Sequence, residues 1–308
     1  MARPTIALVL TLFALHPAAR AEGPEKLPDG PGLAAKYPGD QGLAKDPAVL
    51  FADDFESGDL ARWDDRSGSI TVTDEKPNGG AKCAAAPMEK GKNTGGEAKK
   101  WLTPGADRVY ARVYVRFSPD YQYAHHFLTL LANPRAQRWK AFGKAGVKPD
   151  GTYFSTGMEP WFAWGKNPPP GELTFYSYFM DMEVDPRMNK YWGNGFFPPG
   201  PEKGKAAAAA TKVVPELDAW QCWEFMVEAN TPGKADGRQA MWLDGKLVGQ
   251  FTGIRWRDAP DLKVNCFWLQ HYGYDGSDPT RQFHKGRQAV WFDDGVVATQ
   301  YVGPKSKG

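Results

Sequence analysis

Residues 109–117 read VYARVYVRF and alternate between small apolar and larger polar side chains. Successive side chains of a β-strand point to opposite faces, so this stretch has two distinct faces. One face carries Val109, Ala111, Val113 and Val115, and the other carries Tyr110, Arg112, Tyr114 and Arg116. The pattern predicts a β-strand.

Other stretches repeat this signal along the chain. In ELTFYSYFMDMEV, Phe175 and Phe179 fall opposite Tyr176 and Tyr178, and four later apolar runs are separated by Gly, Pro and Asp. Asp244-Gly245, between AMWL and KLVGQF, is a two-residue hairpin signal. Helical periodicity is nearly absent, and strands do not alternate with helices. We therefore expect an all-β, antiparallel sandwich of the jelly-roll type, with long loops and few short helices.

The N-terminus has the features of an export signal. Arg3 precedes the apolar run IALVLTLFAL, and Ala19-Arg20-Ala21 fits a cleavage site. We expect a signal peptide over residues 1–21, a flexible Gly- and Pro-rich leader over 22–46, one folded domain over 47–304 and a tail over 305–308. The predicted location is secreted or periplasmic.

The charge balance disfavours nucleic acid as a partner. The chain has 38 basic and 36 acidic residues, and removal of Arg3 and Arg20 with the signal leaves 36 basic residues. Proteins that bind nucleic acid usually present a strongly basic face, which a neutral chain does not suggest. No stretch after the signal is apolar enough to span a membrane. We expect a monomer that binds neither nucleic acid nor membrane.

The three cysteines, Cys83, Cys222 and Cys266, cannot all pair within one chain. None has a CxxC spacing typical of zinc sites. A Cys222–Cys266 disulfide is one alternative in an exported protein, and buried free thiols are the other.

Aromatic residues make up 13% of the chain, with twelve Trp and twelve Tyr. Tyr and Trp combine a flat apolar face with a polar group, which suits stacking on sugar rings, although a sandwich core also uses aromatic residues. Tyr176 and Tyr178 lie on one strand face opposite Phe175 and Phe179. If the phenylalanines are core, both tyrosines face outward.

Two histidines, His125 and His126, are adjacent in QYAHHFLTLLANP. If this stretch is a strand, their side chains point to opposite faces, so only one of them can enter a given groove. The alternative for either residue is a partly buried histidine hydrogen-bonded to the sheet.

Two groups of carboxylates have possible roles. Asp53, Asp54, Asp293 and Asp294 lie in FADDFESGDLARWD and WFDDGVVAT, segments that we expect to pair as strands, and could ligate calcium; no other cofactor is indicated. In MDMEVD, Asp181, Glu183 and Asp185 would share one strand face, an arrangement compatible with a glycoside hydrolase. Carboxylates in turns are also commonly solvated or capping.

Several of these segments resemble the polysaccharide lyases of family 14. ANTPGKADGRQAMWLDGKLV (residues 229–248) is the most specific stretch, and RVYARVYVRFSPDY, YGYDGSDPT and QAVWFDDGVV follow the family's order and spacing. The resemblance covers about half of the domain. It implies a concanavalin A-like jelly roll of the alginate or glucuronan lyase type that cleaves polyuronates by β-elimination.

The resemblance also implies roles for individual residues. Tyr176 and Tyr178 match the family's Tyr-x-Tyr strand, where tyrosine serves as acid or base when cations lower its pKa. His126 stands where the family keeps a lysine, and YFSTGMEPWF offers Ser155 and Glu159 where it keeps Ser-x-Arg. A charged glutamate would repel a uronate carboxylate.

We therefore predict a polysaccharide-active protein with Tyr176, Tyr178 and His126 as catalytic residues. Candidate substrate-binding residues are Arg112, Arg116, Ser155, Glu159, Gln270 and Tyr272. The leading hypothesis is a lyase acting on a uronic-acid-containing polysaccharide. Two alternatives remain, a non-catalytic carbohydrate-binding jelly roll and a glycoside hydrolase that uses paired carboxylates, so whether the chain is an enzyme at all stays open.

Overall fold

The computed structural model describes residues 26–200, 212–273 and 286–307, and within them two antiparallel sheets pack face to face. The all-β jelly-roll sandwich predicted from the alternating segments is confirmed. The predicted signal peptide (1–21) and most of YGYDGSDPT lie outside the described residues. In the ranges described, no helix is long and apolar enough to cross a membrane.

Strands are numbered β1–β15 in chain order. The first sheet has the order β13-β12-β11-β6-β15-β4-β3, with β1 also paired to β15. Its strands are β1 (Val49–Asp53), β3 (Thr71–Thr73), β4 (Cys83–Glu89), β6 (Arg108–Phe117), β11 (Gln221–Glu228), β12 (Gly237–Leu243), β13 (Lys246–Ile254) and β15 (Arg287–Ala298). The predicted pairing of FADDFES with WFDDGVVAT is therefore confirmed, as β1 on β15.

The second sheet has the order β10-β9-β8-β7-β14-β5-β2. Its strands are β2 (Asp65–Gly68), β5 (Gly95–Ala106), β7 (Leu128–Ala132), β8 (Phe154–Trp161), β9 (Glu172–Tyr178), β10 (Asn194–Phe196) and β14 (Val264–Tyr272). Short 3₁₀ helices are Leu33–Lys36, Pro38–Asp40, Leu43–Lys45, Arg135–Gln137 and Ala163–Gly165.

The main core lies between the two sheets. Val109 and Val113 of β6 and Phe175 of β9 are buried in it, on the faces that the alternation predicts. Residues of opposite parity on these strands therefore lie on the outer faces, with Arg112 outside the first sheet and Tyr176 outside the second.

The hairpin predicted at Asp244-Gly245 is confirmed, because these two residues alone separate β12 from β13. Their φ angles are 50° and 79°. Positive φ at both central residues is the requirement of a type I′ turn, and Asp-Gly meets it at low cost.

The flexible leader predicted for residues 22–46 is wrong for the part that the structure describes. Leu33, Ala34 and Leu43 are buried against β15 and Val302, and Asp40 pairs with Arg112. Glycine and proline here form short 3₁₀ turns. The leucines of these turns pack on the first sheet, which keeps the segment ordered. The folded unit therefore begins before residue 47.

The predicted tail at 305–308 is also held on this sheet, except for Gly308, which is not described. Lys305 pairs with Asp294, and Ser306 donates a hydrogen bond to the Ala34 carbonyl. Gly30 N–H donates to the Gly245 carbonyl, and the Tyr301 hydroxyl donates to the Gly30 carbonyl at 2.9 Å. Segments from both ends of the described chain thus meet at the β12–β13 hairpin.

All three cysteines are buried and free. Cys222 lies on β11 of the first sheet and Cys266 on β14 of the second, so the alternative of a disulfide between them is not realised. Burial raises the pKa of the Cys83 thiol to about 12 and raises the pKa of both other thiols, which keeps them protonated and unreactive.

Candidate functional site

A pocket of about 190 Å³ opens on the outer face of the second sheet. Its lining comes from four neighbouring strands, His126 before β7 and one loop: Thr129 and Leu131 (β7), Ser155, Gly157 and Glu159 (β8), Tyr176 and Tyr178 (β9), Trp268 and Gln270 (β14), and residues 141–145. The three predicted catalytic residues, His126, Tyr176 and Tyr178, therefore converge in one pocket.

Strand register brings the polar side chains of β8 and β9 together. Ser155 pairs with Tyr178 and Gly157 with Tyr176, so the two tyrosines lie beside β8 residues that face the same way.

Glycine is needed beside the Tyr176 ring, because a Cβ on Gly193 would lie 2.5 Å from a ring carbon. The close approach of this backbone restricts the position of the Tyr176 ring.

The two tyrosines form a pair of phenols. Their hydroxyl oxygens are 3.5 Å apart and their rings meet edge to face at 5.6 Å. Burial raises the pKa of both Tyr176 and Tyr178, and backbone hydrogen bonds from Gly193 oppose it only in part. Cations do not lower these pKa values, contrary to the role expected from the resemblance. Both phenols are therefore proton donors at neutral pH.

His126 and Glu159 form a second polar pair in the pocket. The His126 Nδ1 lies 3.3 Å from a Glu159 carboxyl oxygen. Burial lowers the pKa of His126 to about 4, although its side chain is 32% exposed. Burial also raises the pKa of Glu159 well above its ordinary value. Both partners therefore favour their uncharged forms, and a protonated Glu159 does not repel a uronate.

The prediction that His125 and His126 point to opposite faces of a strand is wrong. Both precede β7, and both backbone N–H groups donate to the Tyr272 carbonyl, at 2.6 and 3.2 Å. Their rings lie 4.0 Å apart on the same side. The pairing of two N–H groups with one carbonyl breaks the two-residue period of a strand, so the alternation rule does not apply here.

Gln270 and Tyr272 of β14 lie on the pocket side, and His271 points the other way. The Gln270 amide donates to the Thr129 hydroxyl at 3.3 Å, and the Tyr272 ring lies 6.0 Å from that of His126. His271 is fully buried, with Nδ1 2.7 Å from the Ala86 carbonyl. The split predicted from strand parity is confirmed.

Lys144 is a pocket residue that the sequence did not indicate. It lies in the loop of residues 141–145, is half-buried, and places its Nζ 5.6 Å from the centre of the Tyr153 ring. Its side chain lines the pocket from a part of the chain without strand periodicity. The only available signal was the Gly- and Lys-rich composition of FGKAGVK, which is common in surface loops.

The predicted roles of Arg112 and Arg116 in this groove are wrong. Both lie on the outer face of the first sheet, on the side of the sandwich away from the pocket. Arg112 is fully buried and pairs with Asp40, and Arg116 pairs with Asp218 at 2.8 Å. Strand parity assigned these arginines to a face correctly but carried no information on which sheet holds the pocket.

The strand predicted to hold Asp181, Glu183 and Asp185 ends at Tyr178. The following residues form turns, in which Asp185 accepts hydrogen bonds from the Arg187 and Met188 backbone N–H groups. These carboxylates do not share a strand face, and none of them lines the 190 Å³ pocket. Phe179 is still buried in the core, as a period of two requires, and the alternation ends in the turn that follows it.

The carboxylates considered for calcium have partners within the chain. Asp53 accepts from the Trp63 indole N–H at 2.8 Å, and Asp294 pairs with Lys305 at 2.8 Å. Asp54 caps the Glu56 backbone N–H, and Asp293 accepts from the backbone N–H of Asn78. Among the residues described, His, Cys, Asp and Glu form no group of three or more that could hold a metal ion.

No protein-family model and no curated protein matches the chain. Solved structures do resemble it. A marine PL-14 alginate lyase from Aplysia kurodai has a TM-score of 0.59 at 13% identity, covering 82% of this chain and 99% of that one. Alginate lyase vAL-1 from Chlorella virus has a TM-score of 0.54 at 16% identity, covering 81% and 99%.

A third structure, a variant of alginate lyase Aly36B in complex with an alginate tetrasaccharide, has a TM-score of 0.51 at 14% identity, covering 92% of this chain and 100% of that one. At these identities the likeness is one of fold. It confirms at that level the resemblance to family 14 lyases that the sequence motifs indicated.

Proposed function

We propose that this chain is a polysaccharide lyase that cleaves a uronic-acid-containing glycan by β-elimination. The convergence of His126, Tyr176 and Tyr178 with Glu159 and Lys144 in one pocket carries the proposal. The jelly roll, which alginate lyases share, supports the same reaction class. Each step of β-elimination needs a group of a type that this pocket contains.

His126 is the proposed base. In β-elimination, a base removes the proton on C5 of the uronate, and the electron pair forms a C4=C5 double bond as the C4–O bond breaks. The lowered pKa keeps the His126 ring neutral at pH 7. If Nδ1 donates to Glu159, Nε2 retains the lone pair that accepts the proton.

The tyrosine pair is the proposed acid. The departing glycosidic oxygen must take up a proton as the C4–O bond breaks, and a phenol with a raised pKa carries one at neutral pH. Tyr176 lies nearer to His126, with ring centres 5.4 Å apart, and its hydroxyl is 3.5 Å from that of Tyr178. We assign the proton donation to Tyr178, with Tyr176 hydrogen-bonded to it.

Lys144 and Glu159 are proposed to neutralise the substrate carboxylate. Withdrawal of its charge acidifies the C5 proton, which a weak base then can remove. The Lys144 ammonium supplies a positive charge, and a protonated Glu159 supplies a hydrogen bond. This pair takes the place of the lysine and arginine that family 14 lyases keep on their strands.

The test is cleavage of alginate, glucuronan and neutral glucans by the mature protein, followed by the ultraviolet absorbance of the unsaturated uronate product. We expect absorbance to rise with a uronate polymer, and Tyr178→Phe to lower the rate by roughly 10²–10⁴-fold. Tyr37→Phe is the matched control, because it removes a hydroxyl that donates to Asp46 in the N-terminal segment, which packs on the other sheet.

Two other outcomes would contradict the proposal. New reducing ends without ultraviolet absorbance would indicate hydrolysis, and retardation in a polysaccharide gel without cleavage would indicate a binding module. Hydrolysis usually needs two carboxyl groups. Among the residues described, Glu159 is the only carboxylate that lines the 190 Å³ pocket, which favours elimination.

We further propose that the mature protein acts outside the cytoplasm, where polymeric glycans are encountered. The support is the predicted signal peptide, with cleavage after Ala21. N-terminal sequencing of the protein recovered from the periplasm or medium should begin at Glu22. Recovery of the uncleaved chain from the cytoplasm alone would contradict this.

A further inference from the structure

A larger cleft of about 760 Å³ adjoins the pocket at the β10 edge of the second sheet. Glu159 and Tyr176 line both, so the two spaces lie side by side on the same face of the sheet. The volume lies within the range of about 300–1,000 Å³ typical of ligand sites. A polymer whose uronate occupies the pocket therefore has room for its neighbouring sugars in this cleft.

Aromatic side chains dominate the walls of the cleft. Trp161 lies at its centre, with its ring 5.6 Å from that of Trp164 and 5.0 Å from that of Phe197, and Trp192 also lines it. Flat aromatic faces next to a few polar groups suit the apolar faces of pyranose rings.

Trp164 is held in an unusual conformation. Its side chain is 69% exposed, and Ala163 and Trp164 have φ angles of 49° and 55°. Bulky residues rarely adopt this left-handed region, and such strain is concentrated at functional sites. A large apolar ring is thus presented to solvent at the mouth of the cleft, a feature that packing of the core does not explain.

The charges of the cleft do not favour a run of uronates. Arg187 is the only lysine or arginine among the described residues that line it, and its guanidinium pairs with Asp185 at 3.3 Å. Asp185 and Glu159 are the carboxyl groups of the lining. Among the described residues of the lining, a second uronate would meet the Asp185 carboxylate and a guanidinium already paired with it, whereas a neutral sugar would not be repelled.

We infer that this cleft binds neutral pyranose units of the glycan whose uronate occupies the adjoining pocket. The substrate class is then a heteropolysaccharide that combines uronic acid with neutral sugars, rather than a pure polyuronate. The inference rests on the proposed function for its catalytic consequence, but the binding site itself is testable without any cleavage.

The first experiment measures binding of 1,4-linked gluco-, manno- and xylo-oligosaccharides to the mature protein by calorimetry. We expect at least one to bind, and Trp164→Ala to weaken its affinity roughly five- to tenfold, as for removal of one principal aromatic contact. Trp139→Ala is the matched control, because Trp139 is an exposed tryptophan outside the cleft. No binding by the wild type, or loss in Trp139→Ala alone, would overturn the inference.

The second experiment compares glucuronan and alginate with the same polymers after partial chemical reduction of their carboxyl groups, which converts some uronates to neutral sugars in an unchanged linkage. We expect kcat/KM per remaining uronate to rise on reduction, and Trp164→Ala to abolish the gain. An unchanged or lower value would overturn the inference. No elimination from any polymer, with oligosaccharide binding intact, would instead contradict only the proposed lyase function.

Discussion

Burial acts in opposite directions on the titratable side chains of the pocket. It lowers the pKa of His126 and raises those of Tyr176 and Glu159, so each side chain favours its neutral form. A neutral imidazole can accept a proton, and a neutral phenol can donate one. The same desolvation therefore suits both proposed roles, His126 as the base and the tyrosines as the acid.

The pH dependence of the reaction follows from His126. Its pKa of about 4 lies below the ordinary value of 6.5, so the ring stays neutral as the pH falls between these values. We expect kcat/KM for a uronate polymer to hold through pH 6.5 and to decline only near pH 4. The measurement is a pH–rate profile with circular dichroism at each pH. An acidic limb centred near pH 6.5 would contradict the assignment.

Substitution of Lys144 tests the source of the positive charge. We expect Lys144→Ala to lower kcat/KM by roughly 10–100-fold, since it removes an electrostatic contact to the carboxylate, with partial recovery in Lys144→Arg. Lys148→Ala is the control, because Lys148 is exposed over Tyr191 and does not line the pocket. Equal losses in both alanine variants would exclude a specific role for Lys144.

At the scale of elements, strands were predictable where apolar and polar side chains alternate in the sequence, even though β6 is buried on both faces along much of its length. The pattern of residues 109–117 gave β6, and Phe175 with Tyr176 gave the faces of β9. The pattern failed at His125-His126 and after Tyr178, where backbone pairing with Tyr272 or a turn interrupts the period of two. A sequence shows a regular alternation well, but it does not show the residue at which the backbone hydrogen bonding of the strand changes and the alternation ends.

The Gly- and Pro-rich composition around Asp40 predicted a flexible leader, but the segment packs on the first sheet. The contribution of this packing to the free energy of unfolding can be measured. Asp40 pairs with the fully buried Arg112, whose other acceptors are carbonyl groups. We expect Asp40→Ala to lower the free energy of unfolding by about 3–5 kcal/mol, because it leaves a buried guanidinium without its carboxylate. Urea unfolding is the measurement.

Asp218→Ala provides the control for that experiment. Asp218 pairs with Arg116 and Lys76 at an exposed position on the same sheet, so its removal should change stability little. If Asp40→Ala is no more destabilising than Asp218→Ala, the N-terminal segment does not stabilise the sheet through this ion pair.

At the scale of the whole molecule, the composition of the pocket depends on tertiary structure. Glu159 and Tyr176 come from the consecutive strands β8 and β9, Gln270 comes from β14 much later in the sequence, and Lys144 comes from a loop. Motif resemblance and strand parity selected the tyrosines, His126 and Gln270. Motif resemblance and strand parity could not identify Lys144, because they do not show which sheet a loop covers. They also could not exclude Arg112, because they do not show which of the two sheets holds the pocket.

The stability of the whole molecule should fall as the pH rises toward 8. Burial raises the pKa of Asp293 and of Glu224 to about 7 each, whereas unfolded carboxyl groups titrate near pH 4. Between these values Asp293 and Glu224 hold protons in the folded protein that the unfolded chain has released, which lowers the free energy of unfolding as the pH rises. His126, whose pKa is lowered, acts in the opposite direction up to about pH 6.5, and the two carboxyl groups outweigh it.

We expect a loss of roughly 1–3 kcal/mol between about pH 5 and pH 8, measured by urea unfolding at each pH. Asp293→Asn should show a shallower dependence, because one titrating group is gone. Stability that rises over this range would contradict the two raised pKa values.

Segments near both ends of the described chain meet at the β12–β13 hairpin, which has a practical consequence for how the protein can be handled. Gly30 and Tyr301 both contact Gly245, on the first sheet, while the pocket opens on the second. A linker or solid support attached near Gly30 or Tyr301 therefore holds the molecule through the first sheet, on the side away from the pocket. Immobilised protein would present the pocket and its aromatic cleft to a dissolved polymer.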